Sequence, residues 1–123
     1  MKKVLTTVLL ALASLGFNPA WAHGEVKARH GGVVQEVNDL VFELVQHATG
    51  AAIYIDDHGQ PLKPAGMNGK LSVLVDGVKK DYPMALGVDR IEVPGVKLAK
   101  GMRAVAVIHG VGGKTVTVRF TVK

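Results

Sequence analysis

Five histidines carry the most evident chemistry of this chain: His23, His30, His47, His58 and His109. Neutral imidazole is the commonest side-chain ligand of transition metals. The chain has no cysteine, which excludes disulfides, thiolate metal sites and cysteine catalysis together. Imidazole ligands without thiolate suit Cu(II), Zn(II), Ni(II) or Co(II), and the general order of affinities favours copper. The histidines therefore predict a metal site, provided that the fold brings some of them together.

The first candidate pair of ligands is His30 and His47. If Asn38-Asp39 forms a two-residue hairpin loop, Val37 faces Leu40, and the same register places His30 directly opposite His47. Opposed residues on antiparallel strands hold their Cβ atoms about 4.5 to 5.5 Å apart, close enough for two imidazoles to share an ion. Asn-Asp is a less specific hairpin signal than Asn-Gly, and a longer loop would shift the pairing.

The same register also predicts how this hairpin divides into two faces. The mostly apolar face would carry Val33, Gln35, Val37, Leu40, Phe42 and Leu44. The more polar face would carry both histidines together with Val34, Glu36, Val41 and Glu43. A sandwich requires this kind of division, because one face of each sheet packs on the core.

His23 and His58 are the further candidate ligands. If a leader is cut after Ala22, His23 becomes the N-terminus and offers its α-amino group and ring Nδ1 as a chelating pair suited to Cu(II). His58 lies in a polar reverse turn, Asp56 to Gly59. His109 would lie at the same end of the domain as His58 only if every strand between them is counted correctly and successive strands alternate in direction. An ordinary solvated side chain is the alternative interpretation of His58 and His109.

Other chemistry is poorly represented in the sequence. Ser72 is the one serine after the leader and lacks a G-x-S-x-G turn, while the adjacent Asp56 and Asp57 would point to opposite faces of a strand. There is no P-loop, dinucleotide fingerprint or H-E-x-x-H motif. We therefore expect no enzyme. We also expect no nucleic-acid partner, because 15 Lys and Arg against 10 Asp and Glu is a mild, scattered excess with few aromatic residues.

The N-terminus has the features of an export signal. Two lysines precede the apolar run Val4 to Phe17, and Ala20-Trp21-Ala22 is an A-x-A cleavage pattern. The run is shorter than the roughly 20 apolar residues that span a bilayer. We expect a signal peptide over 1–22, a polar lead over 23–30, and a soluble periplasmic β-domain over 31–123 whose oligomeric state stays open.

The rest of the chain consists of short β-branched runs separated by Gly, Pro, Asn and Asp. The expected strands are Val33 to Val37, Leu40 to Gln46, Ala51 to Ile55, Leu71 to Val75, Val78 to Met84, Arg90 to Val93, Met102 to Ile108 and Thr115 to Val122. Seven or eight such strands predict an all-β fold, a single antiparallel β-sandwich of immunoglobulin-like type.

The stretch RHGGVVQEVNDLVFELV, followed by IYIDDHGQPL, resembles small exported proteins of Gram-negative bacteria. These are similar to the N-terminal segment of the periplasmic adaptor subunits of heavy-metal efflux pumps. The resemblance covers most of residues 29–63 and continues weakly to TVRFTVK. It implies a role in handling copper, zinc or related ions, with His30 and His58 as the family-like positions and a metal-efflux component as partner. His47 has no counterpart in that pattern.

A second resemblance is to the copper-resistance protein C family, an immunoglobulin-like sandwich whose mature chain also starts with histidine. In that family the histidine leads almost directly into the first strand, whereas here His30 follows His23 only seven positions later.

The sequence thus predicts a periplasmic accessory protein that binds or relays a transition-metal ion and works with a metal-resistance or efflux system. Copper is the first candidate ion. The alternative is a binding module without metal, which docks to a pump subunit or another exported protein through an exposed edge strand.

Overall fold

The computed structural model describes residues 26–123, and every regular element in this range is a β-strand. The ten strands are β1 (Val33–Val37), β2 (Leu40–His47), β3 (Gly50–Asp57), β4 (Gln60–Pro61), β5 (Asn68–Val75), β6 (Val78–Pro83), β7 (Ala85–Leu86), β8 (Ile91–Pro94), β9 (Arg103–Val111) and β10 (Lys114–Thr121). All eight expected strands are present, and β4 and β7 are two-residue additions. No helix of residues 26–123 is long and apolar enough to cross a membrane. The expected signal peptide and His23 lie outside the described residues.

The strands form two antiparallel sheets that pack as a sandwich. The first sheet has the order β1-β2-β3-β8-β7, with β4 beside β3, and the second has the order β10-β9-β5-β6. The orders β2-β3-β8-β7 and β10-β9-β5 match the two sheets of an immunoglobulin-like domain, and β1 is an additional strand at the edge. The predicted fold class is confirmed.

Two-residue turns set the register of the hairpins. Asn38 and Asp39 both have positive φ, 51° and 64°, which is the backbone of a type I′ turn. The Asn-Asp pair therefore closes the predicted loop, with Val37 opposite Leu40 and Val33 opposite Leu44. Asp76-Gly77 closes the β5–β6 hairpin in the same way.

The core lies between the inner faces of the two sheets, which alternate with the strand period of two. Its largest fully buried side chains are Phe42, Phe120, Ile53, Leu71, Ile91, Ile108, Val73, Val93, Val96, Val118 and Pro64. Phe42 and Leu44 face inward as predicted, so Glu43 between them faces outward. This alternation fixes which side chains of β2 are available to form a site.

Candidate functional site

The candidate site lies on the outer face of the first sheet, where the segment before β1 crosses the strands. Residues 26–32, here called the lead, close a cavity of about 160 Å³ against this face. Its walls include Val34, Val41, Glu43 and Tyr54 from β1 to β3. Residues 26–30 of the polar lead expected over 23–30 are therefore packed on this sheet face.

Glu43 fastens the lead to the sheet. Its carboxylate accepts hydrogen bonds from the backbone N–H groups of Arg29, His30 and Gly32, each at 2.9 Å. Glu43 is only 4% exposed, and no buried side-chain polar atom in the described part of the chain lacks a partner. A buried charge with several donors is stable because the donors replace its lost hydration.

The pKa of Glu43 reflects two opposing effects. Burial raises the pKa, but the hydrogen bond from the Gly32 amide and those from His30 and Arg29 outweigh it, so the pKa is below its ordinary 4.5. Glu43 is therefore a carboxylate at neutral pH. The lead reaches it by a bend at Gly31, whose φ is +75°.

His30 is positioned by this carboxylate and by a tyrosine. Its ring Nδ1 lies 3.1 Å from Glu43 Oε1, and its ring stacks on Tyr54 with centroids 3.7 Å apart and planes 8° from parallel. The side chain is 43% exposed, so it is reachable from solvent. A proton on Nδ1, shared with the carboxylate, leaves the lone pair of His30 Nε2 available as a donor to a metal ion.

His47 contacts the same tyrosine from another side. Its Nε2 lies 3.5 Å from the Tyr54 hydroxyl oxygen, and the two rings meet edge to face with centroids 6.5 Å apart. The Arg90 guanidinium donates a 2.8 Å hydrogen bond to the same oxygen. Since both centroid distances are measured to the Tyr54 ring, the two imidazole centroids are at most about 10 Å apart.

The direct opposition of His30 and His47 predicted from the register was wrong. The register itself is as expected, but the β1–β2 ladder ends at Val33 opposite Leu44, three residues short of His30. The reason is that the amides of His30 and Gly32 bond to Glu43. Both histidines contact Tyr54 instead.

His58 lies in the turn between β3 and β4, at the opposite end of β3 from His47. His58 and Gly59 have φ of 50° and 87°, so the predicted polar turn is confirmed. Its Nδ1 lies 2.5 Å from Asp57 Oδ1, and this hydrogen bond and ion pair raise the pKa of the exposed His58. The preceding Asp56 forms a 3.0 Å ion pair with Arg29 of the lead.

His109 belongs to the second sheet, and its Nδ1 lies 2.9 Å from the Thr115 hydroxyl. His109 therefore bonds to Thr115, whereas His58 bonds to Asp57 in the turn after β3. Within residues 26–123, no three side chains among His, Asp and Glu converge closely enough to hold a metal ion by themselves. His23 lies outside this range.

Sequence reasoning assigned no role to Glu43, Tyr54 or Arg90. The available signal was the single charge in the apolar run Val41 to Val45, because a lone acid on a strand between apolar residues requires a partner when buried. That partner is mainly backbone amide groups, which no residue pattern reveals.

Comparisons with protein-family models, with curated proteins and with solved structures gave no match. The resemblances to efflux adaptors and to copper-resistance protein C stay predictions. The chemistry of the site is therefore argued from its side chains.

Proposed function

We propose that this protein is a periplasmic accessory protein that binds or relays a transition-metal ion in metal resistance or efflux, with copper as the first candidate ion. Zn(II), Ni(II) and Co(II) are the other candidate ions. One observation carries the proposal: His30, oriented by a buried carboxylate, and His47 both contact Tyr54 on the outer face of the first sheet.

Glu43 fits the role of orienting group and not of ligand. Its oxygens already accept three backbone N–H groups and lie beside the His30 ring. Carboxylates that hold the second nitrogen of a ligating histidine fix its tautomer and its ring direction. Such an arrangement leaves His30 Nε2 free to bind while Glu43 stays buried.

Two imidazoles alone would leave coordination positions open. Water, the Tyr54 hydroxyl, the terminal amine and ring of His23, or a group from a receiving protein are the available donors. Nitrogen donors favour copper because Cu(II) heads the divalent affinity order. An incompletely enclosed ion exchanges more readily, which suits a relay better than storage. His58, paired with Asp57, is a candidate for a separate site.

The test is titration of the purified protein with Cu(II) and with Zn(II), followed by calorimetry and by NMR of the histidine rings. The variants His30→Gln and His47→Gln should each weaken binding at least about tenfold, the size expected from loss of a ligand or its support. His109→Gln, on the other sheet, is the matched control and should bind as the unmodified protein does.

Zinc should shift the ring signals of His30 and His47, and Cu(II) should broaden them, while the His109 signal stays unchanged. Binding should also weaken in acid, because imidazole must be neutral to bind. Unchanged His30 and His47 signals at stoichiometric metal would refute the proposal.

A further inference from the structure

The outer face of the second sheet forms a groove with basic walls, here called the basic groove. It encloses about 680 Å³. Its floor includes Val105 and Val107, both half-buried, and Ser72 between them and the edge strand. Its rim consists of exposed side chains, Lys70, Leu74, Lys79, Arg103 and Arg119. Unlike the outer face of the first sheet, this groove is not lined by the lead.

The charge of the basic groove is only partly balanced. Asp81 beside it accepts a 2.6 Å hydrogen bond from Ser72 and lies 3.3 Å from Lys70 and 3.9 Å from Lys79. Arg103 and Arg119 form no ion pair with any other residue of 26–123. The two guanidinium groups are therefore available to an acidic ligand.

The spacing of the two arginines defines what such a ligand looks like. Arg119 pairs with Val105 and Thr121 pairs with Arg103, so the arginines are diagonal neighbours on adjacent strands. Diagonal neighbours on one sheet face are about 7 to 8 Å apart. In an extended chain, residues i and i+2 point the same way and are about 6.5 to 7 Å apart. Carboxylates at alternate positions of an extended peptide match this spacing.

We propose that the basic groove binds an extended acidic segment of a partner protein, with Asp or Glu at alternate positions over Arg103 and Arg119. The residue between the two acids would face away from the groove, and flanking apolar atoms would cover Val105 and Val107. A narrow chain reaches this floor between the long basic side chains, whereas the flat surface of a membrane would contact the rim alone. The inference does not depend on metal binding.

The probe is a fluorescein-labelled ten-residue peptide that alternates Glu and Thr, measured by anisotropy at low ionic strength. A peptide with the same composition in the order Glu-Glu-Thr-Thr-Glu-Glu-Thr-Thr-Glu-Thr has no two Glu at alternate positions and is the register control, and a Lys-Thr alternating peptide is the charge control. The alternating acidic peptide should bind best, and salt should weaken it because the contacts are exposed ion pairs.

The double variant Arg103→Gln/Arg119→Gln should bind the alternating peptide about five- to tenfold more weakly, the effect expected from two exposed charge pairs. Lys63→Gln/Lys97→Gln removes the same charge from exposed positions outside the groove and should leave binding unchanged. Equal loss in both double variants, or equal affinity for the alternating peptide and the register control, would overturn the proposal. So would capture by phosphatidylglycerol vesicles without binding of the peptide, which would assign the face to a membrane.

Discussion

The replacement Glu43→Gln tests most directly how the candidate site is built. It keeps the shape of the side chain but removes the charge and turns one acceptor oxygen into an amide donor. Both carboxylate oxygens accept backbone N–H groups, Oε1 from Arg29 and Oε2 from Gly32. Whichever way the new amide is oriented, one of these N–H groups faces another donor.

The magnitude follows from the number and kind of hydrogen bonds lost. Hydrogen bonds to a charged group contribute roughly 1.5 to 3 kcal/mol each, and a buried donor left unpaired costs about 1 to 3 kcal/mol. Glutamine retains part of the network, and the lead can lift away so that its amides bond to water. We therefore expect the free energy of unfolding to fall by about 2 to 3 kcal/mol, which lowers Tm by roughly 10 to 20 °C for a domain of this size.

The assay combines urea denaturation with amide hydrogen exchange. Exchange should accelerate most at His30 and Gly32, whose amides bond to the carboxylate. Glu92→Gln is the matched control: Glu92 is 49% exposed and its 3.3 Å pair with Arg90 is a surface ion pair, so its loss should cost less than about 1 kcal/mol. Equal destabilisation by the two variants, or retained protection at His30 and Gly32, would refute this account of the lead.

Three further predictions concern pH, the path of the lead and the core. The folded-state pKa of Glu43 lies below its ordinary 4.5, so its contribution to stability is present above pH 4.5 and is lost as the pH falls through the lowered pKa. Measurements of the free energy of unfolding at decreasing pH should show this loss, and the Glu43→Gln variant should not show it. Gly32→Ala should destabilise more than Gly31→Ala in thermal melts, because a Cβ at Gly32 would lie 2.2 Å from the backbone oxygen of Leu44. Gly31 has open space, so its replacement carries only the cost of a positive φ, about 1 to 2 kcal/mol. A larger effect at Gly31 would contradict the close approach. Phe42→Ala should lower the free energy of unfolding in urea by about 3 to 5 kcal/mol, because Phe42 is fully buried. Val88→Ala, at a side chain that is 86% exposed, should lower it by less than about 0.5 kcal/mol. Similar values for the two variants would contradict the assigned core.

Much of the fold is predictable from the sequence because its signals are local. Alternation over Phe42 and Leu44 marks the inner face, and Val116 and Val118 do the same in the last strand. Turn residues such as Asp76-Gly77 tolerate the positive φ that two-residue hairpins require. The strand order of the two sheets then follows the immunoglobulin-like pattern that the strand count suggested.

The candidate site is less predictable because its contacts are not periodic. The register correctly placed His47 and Glu43 on the outer face, but extending it to His30 failed where the backbone left the ladder. Tyr54 and Glu43 are cross-strand neighbours, and their pairing depends on how β3 joins β2. The metal proposal therefore depends on contacts around Tyr54 more than on the spacing of histidines along the chain.

By itself, the sequence determined the all-β class, the hairpin register and the set of available ligands, since these depend on residue type and a period of two. The tertiary structure decided where the lead runs, because a buried carboxylate must find donors, and the amides of Arg29, His30 and Gly32 supply them. That requirement bends the chain at Gly31, ends β1 at Val33 and turns His30 onto Tyr54.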